Sequence, residues 1–401
     1  MAGRSAKTIS YKQVSTMSKS SLLSPRFPAA GMLLAFIVFG LWSVSSASDP
    51  EKKKGPWPDG AQALIPQGWA DEEPSWSPDG RSIAFRTFQY GRADIFAIDP
   101  EGKRKSALLL FEPKDVEVRW LDSSEALLFA RTSSSRTRSK SIDDIFRLDP
   151  KSGSSIVFPK DDSSWLAWSV SGDGRAVVAA GYRTKPDRHF FLRKFDARTG
   201  EFKEISLFFP TGMTWLQELA LSPDGTKCAI LAETRDRDRD VFVVSLAAPE
   251  EKVLRLTDDG KEKKSVLWSP RGARLLFLAK RDQAVALDNK QKNTRGRRFK
   301  PFGLATISAE GKGGPVFLLG DDVSADTPVW HPDGKHIVCA AGFGPRWGLV
   351  VANAETKKAL KLTDGEWRDF SPSCSPDGRR IVFVSDRAGD RDLFLLPFRG
   401  E

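Results

Sequence analysis

The chain has 401 residues, and its 62 Lys and Arg residues exceed its 52 Asp and Glu residues, which gives a formal net charge of +10 at pH 7. Five basic residues precede the first acidic residue, so the rest of the chain carries only about +5, a balance that does not favour nucleic acid as a partner. The cysteines, Cys228, Cys339 and Cys374, lie far apart in the sequence and indicate small buried residues rather than a disulfide framework.

The N-terminal region contains the only long apolar stretch, 16 residues from Ala29 to Val44. Basic residues precede it, and Ser45-Ser46-Ala47, a small-x-small cleavage pattern, follows it. We interpret residues 1–48 as a signal peptide, with Met17 as an alternative start, and residues 49–60 as a linker. The other interpretation is an uncleaved membrane anchor, because the stretch falls just short of the roughly 17 residues that span a bilayer. Both interpretations place the remaining chain outside the cytoplasm, either periplasmic or secreted.

Residues 61–401 repeat a unit built around a tight turn. The complete turn occurs four times, as Ser77-Pro78-Asp79-Gly80, Ser222-Pro223-Asp224-Gly225, His331-Pro332-Asp333-Gly334 and Ser375-Pro376-Asp377-Gly378. Weaker copies align on the residue before the turn and bring the count to seven units, spaced 44 to 62 residues apart, at Trp76, Trp120, Trp168, Leu221, Trp268, Trp330 and Cys374. Repeats of this length are typical of stacked or radially arranged units.

Each unit predicts four short strands. An apolar run precedes the turn, a β-rich run such as Ile83-Ala84-Phe85 follows it, a third run often begins with Asp, as at Asp94, Asp240 and Asp392, and a fourth run leads to the next unit. Pro and Gly supply the backbone angles that close a hairpin. We therefore predict an all-β fold, a seven-bladed β-propeller of four-stranded blades.

Two features bear on the number and closure of the blades. The second and third units lack Pro-Asp-Gly, so six blades is the alternative. The segment 61–69 parallels 360–367, so the first strand of the propeller is expected to complete the last blade and to remove open sheet edges.

The repeat resembles that of TolB-like propellers, a WD-repeat-like bacterial group with the pattern Pro-x-Trp-Ser-Pro-Asp-Gly, then Ile-Ala-Phe-x-Ser, then Gly-x-x-Asp-Ile-Tyr. The stretch from Ser385 to Phe394 is similar to that pattern almost throughout. The resemblance covers roughly residues 61–401 and implies a β-propeller. TolB itself has six blades and a separate α/β domain ahead of them, so its binding of TolA and Pal does not carry over to this chain.

One face of the predicted propeller collects aromatic and basic residues. Four tryptophans fall in the loops that lead into blades: Trp69, Trp165, Trp215 and Trp367. They can form an aromatic rim that binds peptide or sugar, or they can fill gaps between neighbouring blades.

Two basic inserts share this face, 130–140 with Arg136 and Arg138, and 288–298 with Arg295, Arg297 and Arg298. Clustered Arg suits carboxylate or phosphate partners, and a solvated, disordered excursion is the alternative.

Catalytic and metal-binding patterns are weak in this sequence. The alternating run Arg235 to Asp240 predicts a surface ion-pair ladder rather than a calcium loop. Some manganese-dependent lyases of pectate fragments resemble TolB-like propellers and use several channel histidines, but this chain has three in all, and His331 and His336 have no third ligand in sequence. There is no nucleophile elbow, phosphate loop or zinc spacing. Glu72, Glu73, Asp326 and Asp369 are expected around the channel mouth.

These observations predict an exported, non-catalytic and monomeric propeller that acts as a scaffold for an envelope or secreted protein, without cofactor or metal. The alternative from another class is a lyase or hydrolase acting on oligosaccharides at the channel mouth. The scaffold predicts a shallow aromatic and basic surface. The enzyme predicts a deep cluster of ionisable groups with shifted pKa values.

Overall fold

In the computed structural model every regular element of the described residues is a β-strand. The structure describes residues 59–64, 69–88, 93–103, 105–112, 116–121, 127–133, 141–149, 155–157, 164–183, 189–206, 213–236, 238–247, 253–281, 302–343 and 346–400. The predicted signal segment 1–48 and almost all of the predicted linker 49–60 lie outside these residues. The all-β prediction is confirmed for the described part of the chain.

The N-terminal half forms two sheets. Sheet 1 contains β2 to β5, which are Asp71–Trp76, Ile83–Thr87, Ala93–Ile98 and Lys105–Glu112. Sheet 2 has eight strands, and its first half contains β6 to β9, which are Val116–Trp120, Leu127–Ser133, Ser141–Leu148 and Ser155–Val157. Its second half contains β10 to β13, which are Ser164–Val170, Ala176–Arg183, His189–Asp196 and Phe202–Ser206. The halves are joined where β10 pairs with β8, at Trp165 and Ile142.

The C-terminal half forms four sheets of four antiparallel strands. Sheet 3 contains β14 to β17, which are Met213–Leu221, Lys227–Thr234, Arg239–Ser245 and Leu254–Arg255. Sheet 4 contains β18 to β21, which are Lys263–Trp268, Arg274–Lys280, Phe302–Ser308 and Val316–Phe317. Sheet 5 contains β22 to β25, which are Ser324–Trp330, His336–Phe343, Arg346–Asn353 and Ala359–Lys361. Sheet 6 contains β26 to β28, which are Asp369–Cys374, Arg380–Ser385 and Asp392–Pro397, together with β1 at Gln62–Ala63.

The first and last described strands pair in sheet 6. Strand β1 pairs antiparallel with β28, with Gln62 opposite Leu395 and Ala63 opposite Phe394. The amide of Leu64 also donates to the carbonyl of Leu393 at 2.8 Å. The expected closure of the last blade by the first strand is therefore present, and it covers the sheet edge that β28 would otherwise expose.

The core lies between sheets rather than within one layer. The second strand of each C-terminal sheet is buried on both faces, as in Cys228–Ala232 of β15 and Leu275–Ala279 of β19, because each sheet packs against the sheet before it and the sheet after it. One apolar cluster joins sheets 3 and 4, and another joins sheet 6 to sheet 1 through Val382 and Phe85. Packing of each unit against its two neighbours is the arrangement of a closed repeat fold.

The Pro-Asp-Gly turns have the geometry that their sequence predicts. In the turn between β14 and β15 the hydroxyl of Ser222 donates to Asp224 Oδ1 at 2.6 Å, and the amide of Lys227 donates to Ser222 Oγ at 2.9 Å. Gly225 has a φ of +65°, a left-handed conformation that costs glycine little. Ser375 and Asp377 repeat the same hydroxyl bond at 2.6 Å between β26 and β27.

The repeated tryptophan before the turn links neighbouring units. Trp268 Nε1 donates to the carbonyl of Ala220 at 2.7 Å, and Trp120 Nε1 donates to that of Ser75 at 3.0 Å. In both cases the acceptor directly precedes the aligned residue of the preceding unit. The position that sequence alignment defined is thus a hydrogen-bonded contact between units.

We expect Trp268→Phe to lower the free energy of unfolding by about 1 kcal/mol more than Trp330→Phe. Both substitutions remove ring volume, but only Trp268 loses a bond to a buried carbonyl, because the indole N–H of Trp330 has no hydrogen-bond partner among the described residues. Urea unfolding of the two variants measures the difference. Equal losses of unfolding free energy would show that the Trp268 hydrogen bond makes no net contribution to stability.

Candidate functional site

We call the first strand of each unit its inner strand and the fourth its outer strand. A backbone irregularity repeats near the start of four inner strands, β2, β18, β22 and β26. Four residues, each three positions before the aligned residue, have left-handed φ values: Glu73 at 53°, Ser265 at 60°, Thr327 at 44° and Ser371 at 50°. Strand pairing shifts register at the same places in β2, β18, β22 and β26. Bulges re-aim side chains next to functional sites, and non-glycine residues keep such φ values only where their surroundings hold them.

The bulges connect neighbouring sheets by hydrogen bonds. The carboxylate of Glu218 accepts from the amides of Ser265 at 3.1 Å and Val266 at 3.2 Å, which joins sheet 3 to sheet 4. Thr327 Oγ1 accepts from the amide of Ser371 at 3.1 Å and joins sheet 5 to sheet 6. The start of the inner strands is therefore a rigid frame for side chains.

A cleft of about 280 Å³ opens on this frame between sheets 5 and 6. We call it the mouth cleft. Its lining combines carboxylates, arginines and aromatic rings: Asp326, Thr327, Ala340, Trp347, Arg368, Asp369, Phe370, Asp386 and Arg391. Most of them come from the starts of β22 and β26 and from the loop between β27 and β28, whereas Ala340 and Trp347 belong to β23 and β24 of sheet 5. Asp326 and Asp369 were expected at the channel mouth, and the structure brings them to one cleft.

Carboxylates at this end of the sheets are held in ion pairs. Glu72 contacts Arg391 at 2.5 Å and Arg86 at 2.6 Å, and the first of these pairs spans sheets 1 and 6. Asp326 contacts Lys264 of sheet 4 at 2.9 Å. Asp386 accepts from the backbone amide of Arg368 at 2.9 Å. The basic partners neutralise Glu72 and Asp326, and the Arg368 amide fixes the position of Asp386.

Arg387 lies directly behind the cleft. Its Nη2 donates to both oxygens of Asp369 at 3.0 Å, and its Nη1 donates to Asp59 at 2.9 and 3.1 Å. The guanidinium also lies 5.0 Å from the Trp367 ring. Burial raises the pKa of Asp369, and the Arg387 charge acts in the opposite direction. One arginine therefore anchors the cleft wall and the chain ahead of β1 together.

Asp71, at the start of β2, is a fully buried carboxyl group in sheet 1. Burial raises its pKa from 3.8 to about 6, and contacts with Thr87 and the charge of Lys105 offset only part of this. The folded protein thus binds more protons than the unfolded chain between these two values. The free energy of unfolding falls as the pH rises through this window, and the buried anion costs roughly 3 kcal/mol at pH 7.

We expect Asp71→Asn to flatten this pH dependence. The variant should gain stability relative to the native chain at pH 7 and gain least near pH 4, where the native carboxyl is already protonated. Urea unfolding at pH 4, 5, 6 and 7 measures the profile, with the exposed Asp390→Asn as the matched control. A profile for Asp71→Asn with the native slope between pH 4 and 6 would contradict the assignment.

The four tryptophans expected to form one rim occupy different environments. Trp69 is 43% exposed, and Trp367 is half-buried two residues ahead of Asp369, in the equivalent loop of the neighbouring sheet. Trp215 is half-buried, with its ring 6.1 Å from that of Tyr182. Trp165 is only 3% exposed. The sequence predicted all four in loops that lead into blades, but Trp165 and Trp215 lie within β10 and β14, and burial separates the four further.

Trp165 is a packing residue, which corrects its assignment to an exposed rim. Its ring lies 5.9 Å from Phe191 and 6.1 Å from Phe195, and the Arg193 guanidinium lies 5.5 Å from it. It sits at the pairing of the two halves of sheet 2 and fills the space there. The gap-filling interpretation holds for this tryptophan.

Apart from residues 130–133, which belong to β7, the basic inserts 130–140 and 288–298 lie outside the described residues. Arg136, Arg138, Arg295, Arg297 and Arg298 therefore remain sequence-based candidates, and the structure does not relate them to the mouth cleft.

The alternating Arg–Asp run is not simply a surface ladder. Asp240, at its end, is fully buried and contacts Lys263 at 3.1 Å and Arg255 at 2.6 Å, and it accepts from Thr257 Oγ1 at 2.8 Å. Lys263 opens an inner strand and is also fully buried. Sequence reasoning missed this pair because Asp240 and Lys263 lie on β16 and β18 of different sheets.

Two histidines gain the third partner that the sequence did not indicate. His331 Nδ1 lies 3.0 Å and His336 Nδ1 lies 2.7 Å from Asp333 Oδ2. We call His331, Asp333 and His336 the turn cluster, because it occupies the turn between β22 and β23. This turn lies at the opposite end of β22 from the mouth cleft. The pattern His-Pro-Asp-Gly-Lys-His was the signal that could have found it.

The cysteines agree with the sequence prediction. Cys228 and Cys339 are buried free thiols, and Cys374 is a partly buried one. Burial raises the pKa of each to about 12, so all three remain protonated at neutral pH. Within the described part of the chain there is no helix long and apolar enough to cross a bilayer.

Comparison with known proteins supports the TolB-like resemblance at a distance. No family model matches the chain. The Tol-Pal system protein TolB of Francisella tularensis is 30% identical over 95 residues, which are 24% of this chain and 22% of that protein. A TolB homologue of Chlorobium luteolum is 32% identical over 74 residues, 18% of this chain and 16% of that protein. The chain thus matches about a fifth of the length of these curated relatives.

Solved structures share the fold over most of the chain. An oligogalacturonate lyase from Vibrio parahaemolyticus superposes with a TM-score of 0.58 at 14% identity, covering 84% of this chain and 93% of that one. An oligogalacturonate lyase in complex with manganese gives a TM-score of 0.59 at 15% identity, with the same coverage. At these identities the likeness concerns the fold alone.

Proposed function

We propose that this chain is an exported, non-catalytic β-propeller that binds a protein partner of the cell envelope through the mouth cleft. The observation that carries the proposal is the state of the carboxylates around the cleft. Asp326 is paired with Lys264, and Asp369 is paired with Arg387. Carboxylates committed to such pairs position a surface and are poorly placed to exchange protons with a substrate.

The cleft also offers groups suited to a peptide. Arg368 is exposed at its rim, and Phe370 supplies an aromatic surface. Trp69 does not line the cleft but is 43% exposed in the loop before β2 of the neighbouring sheet 1. Trp and Arg dominate the binding energy of many protein interfaces. Because Arg prefers bidentate contact with carboxylates, the partner segment is expected to carry an acidic side chain or a C-terminal carboxylate beside an apolar residue.

We further propose seven blades, with sheet 2 counted as two. Its halves β6–β9 and β10–β13 each have four antiparallel strands in chain order and meet at one strand pair. Apolar clusters also join sheet 1 to the first half of sheet 2 and the second half of sheet 2 to sheet 3.

The N-terminal pattern and the Tol-Pal name of the relatives support an envelope location and an envelope partner. The location is periplasmic, secreted or anchored with the propeller outside the cytoplasm.

A photo-cross-linking residue at position 69 or 368 of the full chain tests the proposal in living cells. We expect a discrete protein adduct from either position. The matched controls are Phe202 and Leu360, which are 43% and 49% exposed on outer strands away from the cleft. The substitution Arg368→Glu should abolish the adduct from position 69. Equal adducts from all four positions, or none from any, would refute the mouth cleft as a docking site.

A carbohydrate-active lyase is the second candidate. The raised pKa of Asp369, together with Asp326 and Asp386 around one cleft, favours it. Incubation with oligogalacturonate and ultraviolet detection of an unsaturated product distinguishes the two. Product formed by the native chain and lost in Asp326→Asn would replace the scaffold proposal with the enzyme.

A further inference from the structure

The turn between β22 and β23 differs from its counterparts in one residue type. Ser222 and Ser375 begin the equivalent turns and donate their hydroxyl groups to the turn aspartate at 2.6 Å. In sheet 5 this position is His331, and a second histidine, His336, follows the turn at the position of Lys227. An imidazole is not needed to close the turn, since serine closes it elsewhere.

The two oxygens of Asp333 have separate roles. Its Oδ1 accepts from the amides of Lys335 at 2.8 Å and His336 at 3.0 Å, as Asp224 Oδ1 accepts from the amide of Thr226 at 3.1 Å. Its Oδ2 takes no part in the backbone of the turn and faces both imidazoles. One ligand atom from each of His331, Asp333 and His336 lies within 4.8 Å of the other two.

Both rings are oriented by contacts on their far sides. His331 Nε2 lies 2.9 Å from the carbonyl of Gly378, and the ring stacks on Phe398 at 3.9 Å. His336 Nε2 lies 3.3 Å from Asn353 Nδ2. The carbonyl contact of His331 is the one that metal-binding histidines usually make through the outer nitrogen, whereas Asn353 Nδ2, a donor, orients the His336 ring in its metal-free tautomer.

We propose that His331 Nδ1, Asp333 Oδ2 and His336 Nδ1 form a site for a divalent metal ion of the zinc class. Two imidazoles and one carboxylate suit zinc and its neighbours better than calcium or magnesium, which prefer oxygen ligands. The proposal is independent of the mouth cleft, because the turn cluster lies at the other end of the inner strand.

The cluster needs only a small adjustment to accept an ion. Tetrahedral zinc with bonds of about 2.0–2.1 Å holds its ligand atoms roughly 3.3 Å apart. In the cluster His336 Nδ1 lies 2.7 Å and His331 Nδ1 lies 3.0 Å from Asp333 Oδ2. Asn353 Nδ2 donates to His336 Nε2, so the imidazole proton lies on Nδ1 in the metal-free protein. As the ion binds Nδ1, solvent relays this proton to Nε2, and the contact of Nε2 with Asn353 Nδ2 is given up. Asp333 is 34% exposed at its side chain, which gives the ion a path and leaves a position for water.

A metal at this position would stabilise the seam between sheets 5 and 6. His331 contacts the turn glycine Gly378 and the terminal segment at Phe398, both in the sheet that β1 closes. An ion that binds only the folded form stabilises it by a free energy that grows with the logarithm of the ratio of free ion concentration to the dissociation constant. The role inferred for the ion is structural.

Titration of the full chain with Zn²⁺ against a chromophoric chelator tests the site. We expect one ion per chain, and binding at least tenfold weaker in His331→Ser and in His336→Lys. Each substitution installs the residue that the turn between β14 and β15 already carries, so both variants are expected to fold. Zn²⁺ should raise the Tm of the native chain above that in a chelator and leave the Tm of both variants unchanged.

Cys374→Ser is the control for binding through a thiol. Burial, reinforced by the negative charge of Asp333, raises the pKa of Cys374 to about 12, so the thiolate does not contribute. This variant should bind as the native chain does. Absence of stoichiometric binding by the native chain, binding retained in both histidine variants, or binding lost in Cys374→Ser would each overturn the assignment.

Discussion

Replacing Arg387 by alanine should lower the free energy of unfolding by about 3–5 kcal/mol, the usual cost of leaving a buried charge without its partner. Its side chain is fully buried, as is that of Asp369, and the side chain of Asp59 is 5% exposed. Removal of the guanidinium leaves two carboxylates without their bidentate partner. It also removes a contact of about 5 Å with the Phe394 ring.

The loss of stability should be greatest where β1 pairs with β28. Asp59 directly precedes the segment that pairs with β28, so its release from Arg387 is expected to loosen β1 as well. Urea unfolding measures the global effect, and limited proteolysis near residue 59 measures the local one. Arg387→Lys keeps the charge but cannot hold two carboxylates with one planar fork, so it should lose most of the same stability.

Arg391→Ala is the matched control for this prediction. Arg391 contacts Glu72 at 2.5 Å, but its side chain is 52% exposed, and exposed pairs contribute only about 0–1 kcal/mol. A loss for Arg387→Ala no larger than that for Arg391→Ala would show that the buried network does not hold the closure.

Asp240→Ala should be nearly as damaging, again by about 3–5 kcal/mol. Its carboxylate is the partner of fully buried Lys263 and accepts from Arg255 and Thr257. Without it Lys263 retains only the contacts with Asp259 and the Lys261 carbonyl. The pair joins sheets 3 and 4, so its loss weakens a seam between units.

Lys263→Met should cost less than Asp240→Ala, because Arg255 still neutralises Asp240 in that variant. The double variant Asp240→Ala with Lys263→Met should be no less stable than Asp240→Ala, since the Lys263 charge is then not left buried without its partner. Urea unfolding of the set measures the coupling. Arg239→Ala, whose 3.4 Å pair with Glu262 is partly exposed, serves as the near-neutral control. Losses that simply add would contradict the coupling.

Local patterns in the sequence determined much of this protein. The Ser-Pro-Asp-Gly turns, the buried second strands and the completion of sheet 6 by the segment near residue 62 all follow from short-range chemistry or from similarity between repeats. The aligned tryptophans were found because each unit must contact the next in the same way. Such features depend on residues close in sequence or on a spacing that every unit shares.

The tertiary structure alone decided which polar residues meet. Nothing near Arg387 in sequence points to Asp59, which lies 328 positions away. Trp165 and Trp69 were both predicted in loops that lead into blades, yet Trp165 lies within β10 and is 3% exposed, whereas Trp69 is 43% exposed, because a pairing between the halves of sheet 2 covers the first. Burial and charge pairing are set by neighbouring units, and each neighbour differs from the repeat average. The sequence therefore determined the units and their order, and only their packing decided the mouth cleft and the turn cluster.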